Sequence, residues 1–214
     1  MVATTTTNAK AASAGNIAVA LRERVLNLSR ADIEIPSSQQ GVWGVVVETA
    51  HPDTVASLVA LIDGSVSLYV SDGNGCVGCG AQREVRAAGA ELLKLANNVL
   101  DLTDTTTITT LPPSGFVRFY LLIRDELRSA QTRLEEINHS EPLGTLFFAG
   151  QRVLAAIERA GAGQSLAHEI RLALNALHQK TPDNDSPDVR EPAHADYGDE
   201  QCLSVGNVVR LLRT

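Results

Sequence analysis

The sequence predicts an α+β fold in which a mostly antiparallel sheet packs against amphipathic helices. Two observations lead to this class. Short runs rich in β-branched residues are separated by turn residues, and the Asp63–Gly64 pair between two of these runs is typical of a hairpin. Before and after those runs, apolar residues recur every three or four positions, which is the spacing of one face of a helix.

The first half of the chain predicts a helix, three strands and a second helix. The first helix is indicated by helical spacing at Ile17, Leu21, Val25 and Leu28. Residues 42–49 (VWGVVVET) predict a strand, and the apolar runs on the two sides of Asp63–Gly64 predict two more. The longest helical stripe follows, at Val85, Ala88, Leu92, Leu95, Val99 and Leu102.

The second half predicts further strands and then helices. Residues 103–115 favour a short strand with a turn, and GFVRFYLLIRD predicts a clear strand. Residues 126–137 are ambiguous, because their apolar spacing slightly favours a helix while a turn at Asp125–Glu126 would make them a hairpin partner. LGTLFFAGQRVLAAIERAG and QSLAHEIRLALNALHQ predict amphipathic helices. Over roughly residues 16–137, this element order loosely resembles the roadblock and profilin-like group of small modules. The resemblance rests on layout without a sequence motif, so it implies no functional residue.

Composition divides the chain into four parts. Residues 1–15 have the composition of a disordered arm, and 16–179 form a single predicted domain. Residues 180–202 are acidic and proline-containing, as in a flexible linker, and 203–214 are apolar with two arginines.

The last of these parts is a candidate docking segment. Its apolar side chains are Val205, Val208, Val209, Leu211 and Leu212. We expect it either to dock on its own body, a second subunit or another protein, or to pack as a terminal strand or helical turn, and composition favours neither.

Charge and composition exclude several classes of function. The net charge is −7, and residues 181–201 hold seven acids against Arg190. Without a basic field, we do not expect nucleic-acid binding. No apolar run is long enough to predict a membrane span. Three cysteines, an odd number, and a start without a basic and apolar leader predict a cytoplasmic protein.

The stretch SDGNGCVGCG contains the two most suggestive patterns. Gly73, Gly75 and Gly78 have the G-x-G-x-x-G spacing of a nucleotide-binding loop. That motif requires a parallel β-α-β unit, whereas the hairpin turn upstream predicts antiparallel strands. A glycine-rich turn is therefore favoured over a nucleotide loop.

Cys76 and Cys79 form the second pattern, C-x-x-C. Zinc needs four ligands, and Cys202 is the only other thiol in the sequence, so a redox pair just before a helix fits better than a metal site. Two small residues in a tight turn are the favoured interpretation.

Other candidate residues are weaker. His51 with Asp53 has the composition of a catalytic dyad but also of a polar turn, and Glu48, Glu135 and Glu136 predict a solvated face more than acid–base chemistry. Trp43 predicts a core or subunit contact.

The sequence thus favours a non-catalytic protein-interaction module without a cofactor. Its partner is another protein or a second copy of itself, as in a homodimer. A thiol redox or metal-binding protein and a nucleotide-binding protein are the alternatives.

Overall fold

The computed structural model describes residues 17–161, except 34, 36 and 37. Within this part, the chain forms three α-helices and one antiparallel sheet of seven strands, which confirms the predicted α+β class. The helices are α1 (17–26), α2 (Arg83–Ala96) and α3 (Pro142–Arg159). The strands are β1 (Val42–Ala50), β2 (Val55–Leu61), β3 (Val66–Val70), β4 (Gly75–Cys76), β5 (Asp104–Thr105), β6 (Phe116–Ile123) and β7 (Glu126–Arg133).

The sheet is built around β1. Its order is β4-β3-β2-β1-β6-β7-β5, with β1 hydrogen-bonded to β2 on one side and to β6 on the other. Eight of the nine β1 residues are buried. A run of β-branched residues is typical of such a strand, because both of its faces are covered.

The two faces of the sheet are covered unequally. On the α2/α3 face, Val45, Val47 and Phe119 belong to a core that includes Leu92 of α2 and Val153 of α3. On the opposite face, which we call the α1 face, α1 packs on a smaller core that includes the side chains of Leu21, Val25, Val46, Tyr120 and Leu122. Among the described helices, two therefore cover one side of the sheet and α1 covers the other.

The hairpin predicted at Asp63–Gly64 is confirmed, since β2 and β3 pair antiparallel with Ala60 opposite Val66. Gly64 has φ 86°, and Asp63 Oδ1 accepts a hydrogen bond from the Ser65 N–H at 2.8 Å. Gly64 thus supplies the positive φ of the turn, and the Asp63 side chain accepts a hydrogen bond from a backbone N–H two residues later.

The slight preference for a helix over residues 126–137 is wrong. These residues form β7, followed by a 3₁₀ turn at Leu134–Glu136, and Ile123 lies opposite Glu126. Arg124 and Asp125 make the turn between them, with Arg124 at φ 51°. Pairing with β7 satisfies the backbone N–H and C=O groups along the second edge of β6. This gain outweighs the helical spacing of the apolar residues.

Several predicted parts of the chain lie outside the described residues. They are the arm at 1–15, the helix QSLAHEIRLALNALHQ, the linker at 180–202 and the docking segment at 203–214 with Val205, Val208, Val209, Leu211 and Leu212. Among the helices that are described, none is long and apolar enough to cross a membrane.

Candidate functional site

A pair of opposite charges is buried between α1 and β1. Arg22 Nε donates to Glu48 Oε1 at 2.5 Å, and Arg22 Nη2 donates to Glu48 Oε2 at 2.9 Å. Ser57 Oγ, on β2, donates to the same Oε1 at 3.0 Å. Arg22 is 4% exposed and Glu48 is 0% exposed, so the pair is a bidentate contact shielded from water.

The surroundings of Arg22 keep it charged. Burial by itself would lower its pKa, but the hydrogen bond and the charge of Glu48 outweigh burial, and the pKa of Arg22 is raised above its ordinary value. The guanidinium carbon also lies 6.0 Å from the centre of the Tyr120 ring, within the range of a cation–π contact. Arg22 therefore fixes α1 to the sheet through a permanent charge.

This polar cluster has little access to a ligand. Arg22 and Ser57 border a cavity of about 20 Å³, which is enough for one water molecule. Tyr69 borders it too, and burial raises the pKa of Tyr69 to about 12 against the opposing effect of a hydrogen bond with Ser67. Its burial and its paired charges suit the cluster to holding the fold together.

The expectation that Glu48 lies on a solvated face is therefore wrong, and sequence reasoning did not single out Arg22. A signal for both was present. Glu48 interrupts a run of valines in β1, and Arg22 lies between Leu21 and Val25 on the apolar side of α1. One acid and one base, each alone on a buried face, predict a buried ion pair.

We predict that Arg22→Met and Glu48→Met each lower the free energy of unfolding by about 3–5 kcal/mol, because each leaves one charge buried without its partner. The double variant Arg22→Met/Glu48→Met should lie within about 1 kcal/mol of the wild type. Urea unfolding followed by tryptophan emission measures all three. Arg159→Met, which removes an exposed 3.8 Å pair with Glu84, is the control and should have almost no effect. Additive losses in the double variant would contradict the assignment.

A groove is the second feature of the α1 face. It lies between the end of α1 and the β6–β7 hairpin and has a volume of about 270 Å³. Trp43 contributes to it, and its apolar walls are Leu26, Leu28, Leu122 and Leu127. We call it the Trp43 groove.

Trp43 reaches this groove because β1 contains a bulge. The pairing of β1 with β6 shifts between Val42 and Gly44, and Trp43 belongs to the core of the α1 face while Val45 belongs to the other core. Without the shift, strand alternation would place Trp43 on the side of Val45. Trp43 Nε1 donates to the carbonyl oxygen of Arg124 at 2.9 Å, and the residue is 1% exposed, so the predicted core role is confirmed.

The lining of the Trp43 groove carries acids and no base. Asp125 and Glu126 lie at its edge, and both are exposed. Among the described residues, none bonds to the carboxylate of Asp125, whereas Glu126 Oε2 lies 4.0 Å from Arg128 Nη1. Ser29, also in the lining, donates through its hydroxyl and its backbone N–H to Asp32 and lowers the pKa of that carboxyl. The groove therefore has a floor of largely buried apolar side chains, and the two acids at its edge lie beside the bases Arg124 and Arg128.

A second depression lies on the other side of the β6–β7 hairpin. It has a volume of about 210 Å³, and its lining includes Arg124, Glu126 and Arg128. Its mixed charges give it no preference for a cation or an anion, so it does not favour one class of ligand.

The three glycines of the predicted nucleotide loop have backbone roles. Gly73, Gly75 and Gly78 all have positive φ, at 88°, 133° and 71°. A Cβ on Gly75 would lie 2.0 Å from the carbonyl oxygen of Leu68 on the paired strand. Helix α2 begins at Arg83, after the loop and not around its third glycine. The nucleotide interpretation stays a prediction, and the glycines have a separate steric explanation.

We predict that Gly75→Ala destabilises the fold by more than about 2 kcal/mol, because it combines an unfavourable φ with a backbone clash. Gly115→Ala is the matched control. Gly115 also has a positive φ, of 82°, but no atom lies within 4 Å of the added Cβ. It should therefore cost about 1 kcal/mol. Thermal unfolding compares them, and equal losses would mean that the close approach to Leu68 is unimportant.

Cys76 and Cys79 form a disulfide in the structure, with their Cα atoms 6.0 Å apart. Cys76 lies in β4 and Cys79 begins a 3₁₀ turn that leads into α2, so the bond joins the sheet edge to the start of that helix. Both residues are buried. The structure thus brings the predicted pair together, and the redox interpretation stays a prediction.

No three His, Cys, Asp or Glu side chains within the described residues are grouped so that they could hold a metal ion. Cys202, the third thiol, lies outside them. His51 and Asp53 are exposed in the β1–β2 turn, where the His51 N–H donates to Thr54 O at 2.8 Å. Glu135 and Glu136 are exposed, as expected.

Comparisons of the chain with protein-family models, with curated proteins and with solved structures gave no match. The loose resemblance to roadblock and profilin-like modules is therefore not confirmed.

Proposed function

We propose that this chain is a non-catalytic protein-interaction module whose Trp43 groove binds a peptide segment with apolar and basic side chains. The groove is the observation that carries the proposal. Its floor is the buried Trp43 with three buried leucines, Leu127 is partly exposed in its wall, and Asp125 and Glu126 stand at its edge. Aromatic side chains in apolar depressions are the usual anchors of protein interfaces.

The size of the groove is compatible with part of a peptide. Pockets for drug-sized ligands and cofactors have volumes of about 300–1,000 Å³. The Trp43 groove, at about 270 Å³, lies at the lower end of that range. It is large enough for a few apolar side chains of a bound segment, with the rest of that segment outside.

The charges at the edge favour a basic segment. Asp125 would attract Lys or Arg, and Glu126 would do so in competition with Arg128, which lies 4.0 Å from it. Because both acids are exposed, their attraction should weaken with salt, while the apolar contacts should not.

Self-association, expected from the sequence, is part of the proposal. The edges of the sheet are strands β4 and β5, of two residues each, and so offer little backbone for a second sheet to pair with. A homodimer would therefore form more readily through the α1 face than through pairing of two sheets at their edge strands.

We predict that a displayed library of 12-residue peptides, selected against the full chain, yields binders that combine apolar residues with Lys or Arg. Leu127→Glu, in the groove wall, should weaken those binders at least about tenfold, since one buried apolar contact contributes more than about 1.4 kcal/mol. Titration calorimetry measures the affinities.

The matched control is Leu102→Glu, because Leu102 is 51% exposed and does not line the groove. This variant should bind the selected peptides like the wild type. Equal binding by the Leu127→Glu variant, or failure to select any peptide against the full chain, would contradict the proposed function.

The disulfide favours a second candidate, a thiol redox protein. Two electrons and two protons from a dithiol reductant convert the Cys76–Cys79 disulfide to two thiols, and the reverse reaction restores it. Because the bond joins β4 to the start of α2, its cleavage would loosen the edge of the sheet next to that helix.

For this candidate we predict a midpoint potential between about −220 and −300 mV, where the cytosolic glutathione pool can exchange with the bond. Equilibration with glutathione buffers and mass spectrometry measure the gain of two hydrogens. Cys202→Ser should be the background for the titration, so that only the pair responds. A potential below about −300 mV would identify a structural bond and exclude the redox role.

A further inference from the structure

We propose that the Cys76–Cys79 pair, once its disulfide is reduced, binds a single Cu(I) ion between its two sulfurs. This inference deepens the second candidate above, the thiol redox protein, and rests on it in one respect, because the disulfide has to open. It assigns the ligand that the opened pair would take.

The number of sulfurs separates the metals that thiolates select, which are Cu(I), zinc and iron in clusters. Structural zinc and the common iron–sulfur clusters take four protein ligands. In the described part of the chain, no His, Cys, Asp or Glu lies near enough to Cys76 and Cys79 to make a third ligand. Two thiolates are too few for zinc or a cluster, but they form a complete linear set for Cu(I).

The backbone already brings the two sulfurs to a common point. Cys76 ends β4 and Cys79 begins the 3₁₀ turn, with their Cα atoms 6.0 Å apart and their sulfurs bonded to each other. Rotation about the Cα–Cβ bond of either residue moves its sulfur and leaves the backbone in place. The sulfurs of the reduced pair can therefore part to admit an ion without a change of fold.

Contacts other than the disulfide hold this loop. The Gly78 N–H donates to Ser67 Oγ at 3.1 Å, and Arg86 Nε donates to the carbonyl oxygen of Gly80 at 2.8 Å. Gly80 also packs so closely on the β2–β3 turn that an added Cβ would lie 2.1 Å from the carbonyl oxygen of Gly64. Cleavage of the disulfide loosens this edge of the sheet, but these contacts involve no sulfur and keep the two thiols near each other. The ligands are thus preorganised.

The surroundings of the pair suit a soft ion. Cys76 and Cys79 are 2% and 5% exposed and belong to the apolar core that includes Val85. Apolar surroundings disfavour hard cations such as Mg²⁺ and Ca²⁺, which need several oxygen ligands. Val77 and Gly78, between the two cysteines, are partly exposed beside the edge strand β4, and they give an ion a path from solvent.

Loading of the site is balanced in protons and charge. After a dithiol reductant has opened the disulfide, two thiols bind one Cu(I), each thiol releases its proton, and the complex carries one negative charge. Arg86, bonded to Gly80 of the same loop, provides a positive charge on that side. Because protons compete with the metal for the sulfurs, affinity should rise with pH.

The test uses the full chain with Cys202→Ser, reduced and kept free of oxygen, so that only the pair offers thiols. Cu(I) is supplied on a chromophoric Cu(I) chelator, and absorbance measures its transfer to the protein. We expect one Cu(I) per chain, retained against an excess of glutathione. Adding Cys76→Ser or Cys79→Ser should weaken binding at least about a hundredfold, because a lone thiol lacks the tethered second ligand.

The matched control is the chain that keeps Cys202 and carries Cys76→Ser/Cys79→Ser, since it also has a single thiol. It should bind Cu(I) no more tightly than the two variants with one cysteine of the pair. Zn²⁺ should bind the reduced pair more weakly than Cu(I), because zinc would lack two of its four ligands.

Three results would overturn the inference. They are no transfer of Cu(I) to the reduced pair, transfer that glutathione reverses, and equal affinity of the pair and the lone thiols. Each would leave the redox candidate standing if glutathione buffers open and close the disulfide. A disulfide that only a stronger dithiol opens would exclude the redox candidate, and transfer of Cu(I) to the opened pair would still decide the inference.

Discussion

The buried contact between Arg22 and Glu48 is the interaction on which the α1 face depends. A short helix such as α1 is marginal in water by itself and must be held by the surface it packs on. Apolar contacts alone would let it slide along the sheet, because they are not directional. A bidentate pair with both charges buried allows one position, since any displacement would leave a charge without its partner.

This constraint explains why the Trp43 groove has a defined shape. Helices α2 and α3 together cover one face of the sheet, whereas α1 covers the other and ends beside the β6–β7 hairpin. The bulge in β1 turns Trp43 into the space that remains, and the hydrogen bond to Arg124 fixes the indole there. The groove thus results from three features of the described residues: α1 covers only part of this face, the ion pair fixes α1, and β1 has a bulge at Trp43. The disulfide lies elsewhere, at the β4 edge of the sheet.

The sequence was sufficient for the fold class, for the hairpin at Asp63–Gly64 and for the presence of all three described helices, because these depend on local spacing and turn residues. The end of α2 was missed, since it stops at Ala96 and a 3₁₀ helix covers Asn97–Leu102. The sequence was insufficient where tertiary contacts decide. The strand at 126–133 forms because β6 has a second edge to satisfy, and Trp43 changes face because of a bulge that spacing does not reveal. Glu48 was misread because a lone carboxylate in a strand is more often solvated, and its partner lies 26 positions away in α1.

Hydrogen–deuterium exchange of the full chain, comparing the wild type with Glu48→Gln, tests most directly whether the ion pair holds the α1 face. Glu84→Gln, at an exposed pair, is the control. Glu48→Gln should lose more protection in α1 and in the β6–β7 hairpin than in α2 and α3, where the loss should not exceed the fall in the global free energy of unfolding. Equal loss of protection in all three helices, or no loss in α1, would contradict the role of the ion pair. In either case α1 would not depend on the pair more than α2 and α3 do.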